Sequence, residues 1–270
     1  MPNRRRVALT VAVLSASAIV AEAQAPVPRP AFDAFDVATV KPVEGGPNAN
    51  RFIAMQGTHR FVETNYTLKL LIAAAYNMNP ETISGGPGWI ESDRFDIAAI
   101  TPGEVQPTHD EQMKMLRTLL ADRFKLSFHR EPKQFSIYEL EIANAKAGPK
   151  FKPSAAAPDE APQLVGIAYP DRIHMPGRNA SMGDFVSLLQ RAILDRPVVD
   201  KTGLAGRFDF DLDWAPDDSQ FSGDVKSASA DSPSPPFFTA IQQQLGLRLV
   251  ATRGPVAAIV VDKAERPTAD

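Results

Sequence analysis

The chain has 270 residues, 24 of them Pro and 16 Gly, with 44% apolar and 23% charged residues. That is a globular balance, below the Pro and Gly load of a collagen-like or low-complexity chain and too apolar for disorder throughout. The formal charge of −3 offers no electrostatic footprint for nucleic acid, and the absence of cysteine excludes disulfides, thiolate metal sites, thiol nucleophiles and lipidated cysteines.

The first segment reads as an address. Arg4, Arg5 and Arg6 precede an apolar run from Val7 to Val20, followed by Ala21, Glu22 and Ala23. This is the pattern of a secretory signal peptide over residues 1–23, cut after Ala23. This 14-residue run is short of the roughly 20 apolar residues that span a bilayer, and no later run is long enough. The expectation is an exported chain, periplasmic or extracellular, with no membrane association once the signal is removed.

Beyond the signal, the sequence repeats itself. Arg60 to Asn65 precede a helical pattern from Leu68 to Tyr76; Arg172 to Asn179 precede another from Met182 to Ile193. Asn65 lies 29 residues before Arg94, and Asn179 lies 28 before Arg207. These arginines open the matching strands Arg94-Phe95-Asp96-Ile97 and Arg207-Phe208-Asp209-Phe210. A helix follows each, over Met113, Leu116 and Leu120 in one half and Phe238, Ile241 and Leu245 in the other. Two short strands close each half: Phe124 to Leu126 and Tyr138 to Ile142, against Leu247 to Leu249 and Ile259 to Asp262. Arg130-Glu131-Pro132 corresponds to Arg253-Gly254-Pro255. Thr108 with Glu111 and Ser181 with Asp184 have capping-box spacing, and Gly246 suits a left-handed C-cap.

The predicted fold is α+β: two duplicated units, each an antiparallel or mixed sheet with two helices on one face. The first unit covers 31–143 and the second 163–267, joined by a Pro- and Ala-rich linker over 144–162. The second carries a Ser-, Asp- and Pro-rich insertion, 217–236, read as disordered.

Chemistry is sparse. The histidines 59, 109, 129 and 174 lack the spacing of a zinc helix, so no metal is assigned. Asp209, Asp211 and Asp213 begin like a calcium loop, but Trp214 stands where glycine is required; whether this strand binds calcium stays open. No nucleophile elbow, phosphate loop or dinucleotide fingerprint is present, and no cofactor is implied. Gly85 to Trp89 reads as a tight turn whose Trp covers the core edge. Asn65 and Asn179 match glycosylation sequons, yet both precede helices, where side-chain capping explains them. The candidate binding or structural residues are Trp89, Arg94, Asp96, His129, Arg207 and Asp209; no residue is assigned as catalytic.

Several strings carry a resemblance: FDVATVKP at Phe35 to Pro42, GGPGW at Gly85 to Trp89, SDRFDI at Ser92 to Ile97, LLADRFKLSFHRE at Leu119 to Glu131, RPVVDKTGL at Arg196 to Leu204 and QLGLRL at Gln244 to Leu249. With Gly254-Pro255-Val256, Val260 to Asp262 and Arg266-Pro267 they cover about Ala31 to Pro267. The chain resembles the uncharacterised "soil-associated" family of exported bacterial proteins, a domain of unknown function in large paralogous sets. That family has no established activity or catalytic residues to carry over. A similar domain is attached to membrane metallopeptidases of the antibiotic-sensing type, which implies an extracytoplasmic sensing or interaction module. The expected function is therefore a non-catalytic binding module with a protein or peptide partner. The alternative is a secreted hydrolase of an extracellular polymer with its site in the cleft between the units, favoured by a deep pocket in which two or more of His129, Asp96, Asp209 and Arg207 converge.

Overall fold

The computed structural model describes residues 29–43, 51–157, 160–221 and 225–268. The expected signal peptide and its cleavage after Ala23 lie outside the described residues. The first half runs β1 (Val37–Val43), β2 (Phe52–Gln56), β3 (Arg60–Thr67), α1 (Leu68–Ala75), β4 (Ile83–Gly85), α2 (Trp89–Ser92), β5 (Arg94–Ile100), α3 (His109–Arg123) and β6 (Ser127–Ile142). The second runs β7 (Lys152–Pro153), β8 (Gln163–Leu164), β9 (Ile167–Ala168), β10 (Ile173–Ala180), α4 (Met182–Leu188), β11 (Val198–Asp200), β12 (Phe208–Trp214), α5 (Phe237–Ala240) and β13 (Leu247–Lys263).

The helices start where the caps stand. The hydroxyl of Thr67 accepts from the Leu70 N–H, and capping boxes join Thr108 with Glu111 and Ser181 with Asp184. Gly246 adopts φ 68° and ends the last helix. Both α4 and α5 continue as π turns, Leu189–Ile193 and Ile241–Leu245, closed by bonds that reach five residues back: Leu194 N–H to Leu189 O and Gly246 N–H to Ile241 O. The wider turn changes which residues align. Phe237, Ile241 and Leu245 are buried together, while Phe238, expected on the core face, is 40% exposed.

Three sheets result. The first is antiparallel with order β1-β5-β3-β2, and the second has order β7-β12-β10-β8, with β9 also on β10. The third has order β11-β6-β13-β4 and draws on both halves of the chain. This corrects the expectation that each unit closes on a sheet of its own. The last strand of each half pairs antiparallel with that of the other, from Leu247 opposite Ile142 to Lys263 opposite Ser127. On its flanks, β11 runs parallel to β6 and β4 runs parallel to β13.

Each of these long strands is continuous where two short ones were expected. Pro132 and Pro255 suggested breaks, but both lie inside a strand. At each proline the strand has a neighbour on one side only among the described residues: β11 meets β6 at Tyr138–Leu140, and β4 meets β13 at Ile259–Val261. A residue without an N–H is tolerated on such an open edge. Lys125 has φ 49°, so Phe124 to Leu126 forms the corner after α3 instead of a strand.

Two apolar cores follow, and each is closed by the other half. Phe61, Leu71, Ile72, Leu116 and Phe124 pack with Ile259 and Val261 of β13. Phe185, Leu189, Phe210, Trp214 and Phe237 pack with Leu140 of β6. The stretch read as a linker is also built in. Its β7 pairs with β12, Phe151 packs on Phe208 and Phe210, and the Lys150 N–H bonds to Leu245 O.

The insertion read as disordered folds over Trp214. The buried indole N–H donates to Gln220 Oε1 at 2.7 Å, the Phe221 ring stacks on the indole, and Ala215 N–H bonds to Pro235 O. A buried Trp needs an acceptor, and this loop supplies it; composition carries no trace of that demand. Residues 222–224 of it lie outside the described residues.

One buried group is costly. Glu63 sits on the core face of β3, fully buried, and among the described residues neither carboxylate oxygen has a hydrogen-bond partner. Burial pushes its pKa well above the usual carboxylate range. The folded chain therefore holds a proton that the unfolded chain releases near about pH 4.3. The stability tied to this group is complete below that pH and is lost as pH rises toward the folded pKa. Replacing Glu63→Met should stabilise the chain by roughly 1–3 kcal/mol at neutral pH and flatten that decline, measured by urea unfolding across pH. A second expectation follows from the exchanged strands: residues 29–150 expressed alone should show no cooperative thermal transition, whereas the full chain unfolds in one.

Candidate functional site

The six residues singled out by sequence do not form one site. Asn65 and Asn179 lie near the ends of β3 and β10 in the left-handed region, with φ 63° and 51°. The ladder shifts register there, and side chains take over its bonds. Asp96 accepts the Asn65 N–H at 2.8 Å, and Arg94 donates to the Asn65 carbonyl at 2.8 Å. At the second corner Asp209 accepts the Asn179 N–H at 3.0 Å, and Arg207 donates to the Asn179 carbonyl at 2.7 Å. These clamps hold the turn from strand into helix, and capping falls to Thr67 and Ser181 rather than to the asparagines. The Asn179 N–H, the Ser154 hydroxyl and nearby cations hold the Asp209 carboxyl below its ordinary range.

The others are surface or packing groups. The Trp89 ring lies against Phe95 and Phe124, with the Arg266 guanidinium 5.2 Å from its centre. His129 Nδ1 is 2.8 Å from Asp262 Oδ1 on the exposed face of the central sheet. The acidic strand is engaged too. Arg178 binds both oxygens of Asp211, and Asp213 meets His174 and Arg172. Among the described residues no group of three or more His, Cys, Asp or Glu side chains is placed to hold a metal.

The concave feature lies elsewhere, where α1 of the first half faces the π turn after α4. Two cavities of about 210 and 680 Å³ share Arg51 and Leu70 as lining. The smaller is walled by Ile53, Tyr66, Ala73, Ala74 and Phe221, with Arg191 entering from the π turn. The larger is polar, with the Lys69–Glu91 ion pair at 2.9 Å, Arg94, Asp195 and Ser219. Of the residues proposed from sequence only Arg94 lines it; His129, Asp96, Asp209 and Arg207 do not.

A polar seam fixes the two walls. Asn79, buried in the first half, donates through Nδ2 to the carbonyls of Gln190 and Leu194 at 2.7 and 3.2 Å. Gln190 Nε2 returns a bond to Asn77 O, and Asn77 Nδ2 donates to Ser187 Oγ. The π turn leaves carbonyls without helical partners, and Asn79 satisfies them from across the chain.

Arg191 stands out against this. It is half-buried, has no hydrogen-bond or ion-pair partner among the described residues, and burial lowers its pKa from the ordinary guanidinium value. Sequence pattern could not mark it, because it lies off the apolar stripe of its helix and reads as solvent-facing; the first half of the chain covers it.

A family model described as a protein of unknown function, DUF3738, matches residues 69–264. The chain belongs to the DUF3738 family. The DUF3738 match runs from α1 into the segment after β13, so it takes in Asn79, Arg94 and Arg191 on both walls of the cleft. No curated protein and no solved structure matches this DUF3738 chain. It has no cysteine, and among the described residues no helix is long and apolar enough to cross a membrane.

If the clamps are structural, Asp96→Ala and Asp209→Ala should each destabilise the fold by about 1–2 kcal/mol, because each strands the N–H of a left-handed residue. The Asp209 contribution is present above the ordinary aspartate pKa and is lost as pH falls through its depressed value, so Asp209→Ala should weaken acid sensitivity in pH-resolved thermal melts.

Proposed function

We propose that this DUF3738 chain is an exported, non-catalytic binding module, built from two copies of one α+β unit, whose ligand seats in the cleft between α1 and the π turn after α4. The observation that carries the reading is the cleft itself: it spans both halves, is held by the Asn79 seam, and presents a guanidinium that has no hydrogen-bond or ion-pair partner among the described residues. Among the described residues no histidine lines either cavity, so the Ser-His pair of an acyl-transfer site is not brought together there. Pockets of this kind, apolar with a few placed polar groups, are ligand sites.

Duplication draws support from matched geometry. The Asp and Arg clamp recurs around Asn65 and Asn179. Lys41-Pro42 lies opposite Asp96-Phe95 in the first sheet, as Lys152-Pro153 lies opposite Asp209-Phe208 in the second. In the central ladder Lys133 pairs with Val256, the residues that directly follow the corresponding Pro132 and Pro255. That is the pairing expected where a two-fold axis crosses a ribbon formed by two equivalent strands. Export rests on the N-terminal segment alone, and a sensing role rests on the resemblance to domains attached to membrane metallopeptidases.

Panning a random peptide library on the immobilised full chain should enrich a family of sequences that bind it and fail to bind the variant Ala74→Trp, which fills the smaller cavity while leaving the clamps intact. Equal binding to a folded Ala74→Trp variant, or enrichment of nothing, overturns the cleft as the binding site.

A further inference from the structure

The geometry points to the smaller cavity as a receptor for a carboxylate carried on an apolar group, with Arg191 as the residue that takes the carboxylate; this deepens the binding-module reading and rests on it. The guanidinium offers five donors in a fixed fork that matches a carboxylate. Several other arginines of this chain spend those donors. Arg178 holds Asp211, Arg248 holds Glu141, Arg266 holds Asp93, and Arg94 and Arg207 hold backbone carbonyls. Among the described residues Arg191 has no hydrogen-bond or ion-pair partner, although it is half-buried beside Tyr66 and lines a cavity of about 210 Å³. A cation removed from water without a partner destabilises the fold, and a ligand anion removes that penalty on binding.

The rest of the wall defines what the anion is attached to. Ile53, Phe221 and the small floor of Ala73 and Ala74 are apolar, so they suit an aliphatic or aromatic side chain next to the charge. The neighbouring compartment, with the Lys69–Glu91 pair and Ser219, offers donors and acceptors of both kinds. One chemistry satisfies all three: an apolar group, a carboxylate beside it and a polar chain leading away. It is presented by a peptide C-terminus with an apolar last residue and, without the polar chain, by a free aryl or alkyl carboxylic acid.

The test uses the full chain and three probes, measured by calorimetry: a short peptide ending in phenylalanine with a free carboxylate, the same peptide as its C-terminal amide, and 3-phenylpropanoate. The free-acid peptide should bind, the amide should bind about tenfold or more weakly, and Arg191→Met should erase that difference while leaving the melting temperature unchanged or higher. Phenylpropanoate binding as tightly as the peptide assigns the site to free acids; weaker binding assigns it to peptide C-termini. Acid and amide binding equally, with both lost in Ala74→Trp, overturns the carboxylate assignment and leaves the cleft standing. No binding of either acid overturns the proposal, and the library experiment then decides whether the cleft binds anything else. A clear fall in melting temperature for Arg191→Met also overturns it, because the guanidinium would then be holding the fold.

Discussion

The pairing of β6 with β13 is the constraint on which the rest of the structure depends. Once these strands run antiparallel along their length, β4 can only dock on β13 and β11 only on β6. The first core then receives Ile259 and Val261 from the far end of the chain, and the second receives Leu140 from the first half. The same crossing brings α1 opposite the π turn after α4, so the cleft is a product of the exchange. Neither half could form it alone.

The second organising feature is the strand-to-helix corner. A residue other than glycine in the left-handed region is strained by about 1 kcal/mol or more, and its backbone groups leave the ladder. In both halves the corner residue is asparagine, and an Asp and an Arg from the adjoining strand take up its N–H and carbonyl. The Arg and Asp that recur in Arg94-Phe95-Asp96 and Arg207-Phe208-Asp209 are explained by this one geometric need. They alternate on the face of the strand that meets the corner, which is why a period-two pattern carried them.

Local features were the most legible in sequence. Capping boxes at Thr108 and Ser181, the glycine at 246 and the apolar stripes of α1 and α3 follow from spacing along a few residues, and the structure shows the same groups in those roles. Long-range choices were not legible. Alternation tells which face of β6 is apolar but not which strand it pairs with, so exchange between halves left no sign. Composition marked 144–162 and 217–236 as linker and insertion because it counts Pro, Ser and Asp; it does not register that Trp214 needs Gln220 or that Phe151 fills a gap beside Phe210. Arg191 was silent for a similar reason: its burial is created by residues more than a hundred positions away, among them Tyr66 and Leu70.

The exchange of strands also sets the order in which this chain can be completed. Ile259 and Val261 lie close to the C-terminal end of the described residues, yet they finish the core that Phe61 and Leu71 begin. The first half carries an unfinished apolar surface until β13 is available, and no amount of local helix formation can cover that surface. Contacts of such long sequence separation fold slowly, since loop closure must precede the reward of burial. Loss of β13 is therefore a lesion of the first core, felt nearly two hundred positions earlier in the sequence, at Phe61 and Leu71.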